Sequence, residues 1–113
     1  MSTSIDKHID LDLSSLLTPE KTDSISGRSY GEGYAKTKKL LDEIESGNKI
    51  VIYIPESKIK AINDSFWKGL FSAIVQKYKT KDKVKSFFEF KTDDYFKTSI
   101  DKNLTILESI FNT

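Results

Sequence analysis

The residues best suited to chemistry in this 113-residue chain stand in two segments that precede predicted helices. Asn63, Asp64 and Ser65 precede an amphipathic stretch, and Arg28 and Ser29 stand between two glycines. A phosphate on a serine at a helix N-terminus is stabilised by the positive end of the helix dipole. An arginine can form a two-pronged contact with a carboxylate or phosphate. The first group is therefore the candidate partner-binding or phosphoacceptor site, and the second is the candidate anion site.

Each group also has a structural interpretation. Asn, Asp and Ser are preferred N-terminal caps, because their side-chain oxygens accept hydrogen bonds from the free amides of a first helical turn. Arg28 can instead form an intramolecular salt bridge that fixes its loop. The sequence leaves both interpretations open for Ser65 and for Arg28.

Composition argues against most catalytic and metal chemistry. The chain has no cysteine, which excludes thiol nucleophiles and thiolate metal sites, and its single histidine, His8, excludes a multi-histidine cluster. It has no nucleophile elbow and no Gly-Lys-Ser/Thr phosphate loop; residues 31–33 (Gly-Glu-Gly) match only a fragment of such a loop. We therefore predict a protein that is not an enzyme, with no catalytic residues, no cofactor and no metal.

Charge and hydropathy limit the partners. The chain has 18 Lys plus Arg and 17 Asp plus Glu, a formal net charge of +1, which argues against nucleic acid as the main partner. Lysines at every second position from 77 to 85 predict a solvated basic turn, with a phosphate-binding patch as the alternative. Apolar runs of about five residues are too short to span a bilayer, and the N-terminus lacks the apolar segment of a signal peptide. We expect a cytoplasmic chain without membrane association.

The first half of the chain contains a predicted strand and a predicted helix. Residues 1–4 are expected to be disordered, and a single domain is expected over residues 5–113. Alternation of Ile9, Leu11 and Leu13 with polar residues predicts a strand near a sheet edge. Residues 14–33 are interpreted as a connection, and a helix with apolar positions up to Ile44 follows it.

The second half continues the alternation of strands and helices. Residues 50–54, a β-branched and aromatic run, predict a central strand covered on both faces. A helix then follows residues 63–65, a strand covers residues 87–90, and residues 92–94 cap a last helix. This order predicts an α/β fold with a small mixed, mainly parallel sheet and about three helices. Phe66 and Trp67 are adjacent and point to different sides of their helix, so we expect one of them to be an exposed partner-binding anchor.

These segments together resemble the STAS-like domain family, small bacterial relatives of anti-anti-sigma factors. The resemblance covers the chain from about Gly27 onward. It rests on residues 27–31 (Gly-Arg-Ser-Tyr-Gly), the apolar strand 50–54, residues 62–66 (Ile-Asn-Asp-Ser-Phe), and the Phe-rich strand with its terminal helix.

The resemblance implies a regulatory protein-binding module. Anti-anti-sigma factors carry an Asp-Ser-Ser or Asp-Ser-Thr motif at this turn, and its phosphorylation controls binding. Ser65 falls at the phosphoacceptor position, with Asn63 and Asp64 before it. The implied function is partner switching, in which the unmodified form binds a kinase-like ATPase and the phosphoserine form releases it. Phe66 and Trp67 replace the small residues that usually follow the serine.

Two other functions are compatible with the sequence. One is a phage or mobile-element inhibitor or accessory protein that binds a host target or forms a homodimer. The other is a binder of a small anionic ligand or nucleotide at the helix N-termini. Genomic neighbourhood distinguishes the first from partner switching, and a thermal shift with nucleotides tests the second.

Overall fold

The computed structural model describes residues 8–112, and within them it contains five α-helices and five short strands. The strands are β1 (His8–Asp12), β2 (Ser24–Ile25), β3 (Lys49–Tyr53), β4 (Ala61–Ile62) and β5 (Phe88–Lys91). The helices are α1 (Arg28–Thr37), α2 (Leu40–Glu45), α3 (Asp64–Tyr78), α4 (Lys81–Lys85) and α5 (Asp94–Phe111), and a 3-10 turn (Leu13–Leu16) follows β1. The predicted disordered residues 1–4 lie outside the described residues.

All strand pairs among the described residues are parallel. One sheet has the order β1-β3-β5, with Ile50 of β3 opposite Ile9 and Phe88, and β2 pairs with β4 in a second, two-stranded sheet. Parallel neighbours need crossover connections, which α1 and α2 provide between β1 and β3, and α3 and α4 provide between β3 and β5. The predicted α/β fold class with a small, mainly parallel sheet is confirmed.

The two faces of the three-stranded sheet differ in burial. Ile50 and Ile52 are 0% exposed and belong to the hydrophobic core that also contains residues of all five helices. On the other face, Val51 is buried at 3% exposure, whereas Tyr53 is 38% exposed, and the residues opposite Tyr53 are Asp12 and Lys91. The prediction that the central strand is covered on both faces is therefore wrong at Tyr53, because its neighbours on that face are charged and remain hydrated.

The first predicted helix is two helices. Lys39 adopts a left-handed conformation (φ 54°) and separates α1 from α2. The apolar spacing from Tyr34 to Ile44 continues across this break, and both residues are buried. Periodicity alone therefore did not reveal the change in helix direction.

The predicted basic turn at residues 77–85 contains the short helix α4. Thr80 caps it by accepting a hydrogen bond from the Lys83 amide at 3.2 Å. Lys81 and Lys85 pair with Asp101 of α5 at 3.2 and 3.0 Å. Two of the five lysines of this segment thus hold α4 against α5. No helix within residues 8–112 is long and apolar enough to cross a membrane.

Candidate functional site

The candidate residues from the two predicted helix starts meet at one corner of the molecule. The backbone N–H of Gly27, the residue before α1, donates to Ser65 Oγ at 3.2 Å across 38 residues of sequence. We call this region the helix-start corner and define it by its five candidate residues, Arg28, Ser29, Asn63, Asp64 and Ser65. Arg28, Ser29 and Asn63 are exposed, and Asp64 and Ser65 are half-buried.

The cap of α3 is Asn63, and Ser65 lies inside the first turn. Asn63 Oδ1 accepts hydrogen bonds from both the Ser65 amide and the Ser65 hydroxyl, each at 2.8 Å. The Ser65 hydroxyl therefore donates to its own cap and accepts from Gly27. It links the first turn of α3 to the start of α1.

Asp64 connects α3 to α5. Its carboxylate accepts hydrogen bonds from Asn103 Nδ2 at 3.0 Å and from Ser99 Oγ at 3.4 Å, and it forms an ion pair with Lys102 Nζ at 2.9 Å. These contacts lower the pKa of Asp64 below its ordinary value of 3.8, and the hydrogen bond from Asn103 has the largest effect. Asp64 is therefore the anchor that holds the start of α3 against α5.

The sequence interpretation missed Asn103, which is 0% exposed. Its side chain also donates to the Ser99 carbonyl at 2.8 Å. A signal was present, because an amide at position 103 lies on the apolar stripe between Ile100 and Leu107, where a polar side chain needs a buried partner. Nothing local identified Asp64 as that partner.

Loss of the Asp64 charge is expected to destabilise the protein in a pH-dependent way. The folded-state pKa is lowered, so the stabilisation is present above about pH 3.8 and is lost as the pH falls through the folded-state value. Asp64→Asn should be less stable than wild type at neutral pH by up to about 1 kcal/mol, the range of solvent-screened pairs. Urea unfolding over a pH series should show this difference shrinking in acid.

Asp94 provides a matched control for this measurement. It is the first residue of α5, as Asp64 is of α3, but it is exposed and forms no ion pair among residues 8–112. Asp94→Asn should show a smaller difference from wild type across the series. A difference between Asp64→Asn and wild type that stays constant into acid would contradict the assignment.

Phe66 and Trp67 are both 0% exposed, so the prediction of one exposed anchor is wrong. The Phe66 ring packs edge-on against Tyr30 of α1, with centroids 6.2 Å apart, and Trp67 stacks on Phe71 at 5.9 Å. Phe71 in turn lies against Phe88 and Phe90 of β5, with centroids 5.3 and 6.2 Å apart. Helix α1 therefore covers Phe66, and the sheet covers the side of α3 that carries Trp67 and Phe71. The buried rings of Phe66 and Trp67 anchor the first turn of α3, which carries Asp64 and Ser65, in the hydrophobic core.

Arg28 forms contacts within the chain. Its Nε lies 3.7 Å from Glu32 Oε2, one helical turn along α1, and its Nη2 donates to Ser72 Oγ of α3 at 3.4 Å. The structure therefore shows the salt bridge that the sequence allowed. Arg28 and Ser29 belong to the first turn of α1, which corrects their predicted place in a connecting loop. Residues 31–33 are likewise helical and form no phosphate loop.

Comparisons of this chain with protein-family models, with curated proteins and with solved structures found no match. The similarity to STAS-like domains thus stays a prediction that rests on the quoted sequence segments and on the α/β fold.

Proposed function

We propose that this chain is a non-catalytic, STAS-like regulatory module that binds a protein partner through the helix-start corner, and that phosphorylation of Ser65 by a kinase-like ATPase switches this binding. The observation that supports the proposal is the hydrogen bond from the Gly27 amide to Ser65 Oγ. It joins the N-termini of two helices at a single hydroxyl, which also donates to the exposed Asn63 side chain. The first turn of α1, with the exposed residues Arg28 and Ser29, follows Gly27 directly.

A phosphate on Ser65 would change this corner electrostatically. It would add nearly two negative charges beside the Asp64 carboxylate, while the N-terminal amides of α1 and α3 stabilise it. Phosphorylation removes the proton that Ser65 donates to Asn63 Oδ1, and access to the hydroxyl oxygen also requires opening of the Gly27–Ser65 hydrogen bond. Each of these losses costs about 1 kcal/mol. Modification therefore alters the surface that a partner contacts at a small cost to the fold.

The proposal is tested by substituting Ser65. Affinity capture from the source organism, followed by mass spectrometry, identifies the partner and any phosphosite, and the purified partner is then titrated calorimetrically. Ser65→Asp is expected to raise the Kd for the partner about tenfold or more, equivalent to about 1.4 kcal/mol of binding free energy. Ser65→Ala should keep binding near wild type and lose about 1 kcal/mol of folding stability, because the Gly27 amide loses its acceptor.

Ser109→Asp is the control for added charge, since Ser109 is exposed in the last turns of α5. It should leave the partner's Kd unchanged. Equal weakening by Ser109→Asp and Ser65→Asp, or unchanged binding in Ser65→Asp, would refute a switch at the helix-start corner.

A further inference from the structure

An open groove runs between the α1–α2 pair and α3, separate from the helix-start corner. Its volume is about 440 Å³, within the range of pockets that bind ligands or partner side chains. We call it the α1–α3 groove and define it by five apolar lining residues, Ala35, Leu41, Leu70, Ala73 and Ile74. Leu70 and Ile74 form a buried floor, Ala35 and Leu41 are half-buried, and Ala73 is exposed.

Two features of the chain keep this groove open. Lys39 in its left-handed conformation ends α1 and redirects the chain into α2. Small residues, Ala35 on one side and Ala73 on the other, line the groove where longer side chains would fill the space. The result is an apolar surface depression bounded by helices.

The rim of the groove carries two lysines that pair with no carboxylate among residues 8–112. These are Lys36 and Lys39, and both are exposed. Of the two rim carboxylates, Glu32 is paired with Arg28, so that the four charged rim residues and Arg28 together carry three cations and two carboxylates, a net charge of +1. A bound segment that carries acidic side chains would complement this rim.

We infer that the α1–α3 groove binds an amphipathic helix of a protein partner, with the apolar stripe of that helix on Ala35, Leu41 and Ala73 and its acidic flank facing Lys36 and Lys39. The inference deepens the proposed function and rests on it for the existence of a protein partner. Helices α1 and α3 form both the groove and the helix-start corner, so a partner that lies along these two helices contacts both surfaces. Binding in the groove does not depend on the state of Ser65.

Site-specific photo-crosslinking in the full chain tests the occupant. Benzoylphenylalanine replaces exposed Ala73, and in a control chain it replaces exposed Lys97 on α5. After irradiation in the source organism, mass spectrometry should find Ala73 joined to a segment with apolar residues at helical spacing and acidic residues beside them. A crosslink from Ala73 to a second copy of this chain or to a basic segment would overturn the inference. So would the absence of any crosslink at Ala73 when the partner is captured at the helix-start corner.

Charge reversal at Lys36 and Lys39 then tests binding in the groove independently of the proposed switch at Ser65. A synthetic peptide of the crosslinked segment is titrated calorimetrically against wild type, the double variant Lys36→Glu/Lys39→Glu, and the single variant Lys97→Glu as the charge control. The double variant should weaken peptide binding about tenfold or more, while Lys97→Glu changes it less than about twofold. Peptide binding as tight as wild type in the double variant would overturn the inference. Ser65→Asp should leave peptide binding unchanged, so that loss of the switch and loss of the groove are distinguished.

Discussion

Replacement of Gly31 by alanine is expected to lower the free energy of unfolding by about 3 kcal/mol, even though alanine is the better helix former. A Cβ at Gly31 would overlap the carbonyl oxygen of Phe66 and would lie 2.8 Å from the Leu70 amide nitrogen. Both atoms belong to the α3 backbone, so no side-chain rotation relieves the overlap. Helix α1 would have to move away from α3.

Gly69 is the reciprocal position on α3, and Gly69→Ala should be similarly destabilising. Its Cβ would overlap the Arg28 carbonyl oxygen and would lie 3.0 Å from the Glu32 amide nitrogen. Because both substitutions act on one interface, their effects should not add. Once either Cβ has pushed the helices apart, the second costs less, so the double variant should lose less than the sum of the single losses.

Gly33 is a matched control two residues further along α1. A Cβ there meets nothing within 4 Å, so Gly33→Ala should raise the free energy of unfolding by about 0.5 to 1 kcal/mol through helix propensity. Urea unfolding followed by circular dichroism measures all four variants, and Gly31→Ala should lower Tm by roughly 10 °C. A Gly31→Ala variant as stable as wild type would show that α1 and α3 do not make this backbone contact.

Trp67→Ala and Phe66→Ala are each expected to lose about 3 to 5 kcal/mol. Both side chains are fully buried, and the Trp67 ring contacts Phe66 on one side and Phe71 on the other, with centroids 5.5 and 5.9 Å apart. Truncation of either side chain would leave a cavity in the hydrophobic core against which α3 packs. An exposed partner-binding anchor, as the sequence suggested for one of them, would lose almost no stability on truncation.

Trp67 also reports its own environment, since it is the single tryptophan of the chain. The tryptophan fluorescence of the native protein should be blue-shifted and resistant to quenching by acrylamide, and both properties should disappear on unfolding.

Trp67→Phe should lose less stability than Trp67→Ala, about 1 to 2 kcal/mol, because Nε1 has no hydrogen-bond partner among residues 8–112 and no hydrogen bond is lost. Tyr95→Ala, at a side chain that is 67% exposed, should change stability by less than about 0.5 kcal/mol. Ready quenching of native Trp67 by acrylamide would contradict its burial.

The sequence alone was sufficient for the elements whose signals are local. The β-branched run around Ile52 predicted the central strand, and the apolar stripes of α3 and α5 were found because helical and strand periodicities differ. Capping chemistry is equally local, so helix starts were predicted at residues 63–65 and 92–94. The structure selects Asn63 and Asp93 as the caps, and both side chains accept amide hydrogen bonds from their own first turns. The α/β class follows from the order of these elements.

Only the tertiary structure decided what the candidate residues contact. The Ser65 hydroxyl binds Gly27, 38 residues away, and the Asp64 carboxylate binds Asn103, 39 residues away. The burial of both Phe66 and Trp67 depends on α1 and the sheet covering two different sides of α3, and the groove depends on the left-handed turn at Lys39. Periodicity and capping act within one or two helical turns, whereas these contacts exist only after folding brings distant segments together, so no local pattern specifies them.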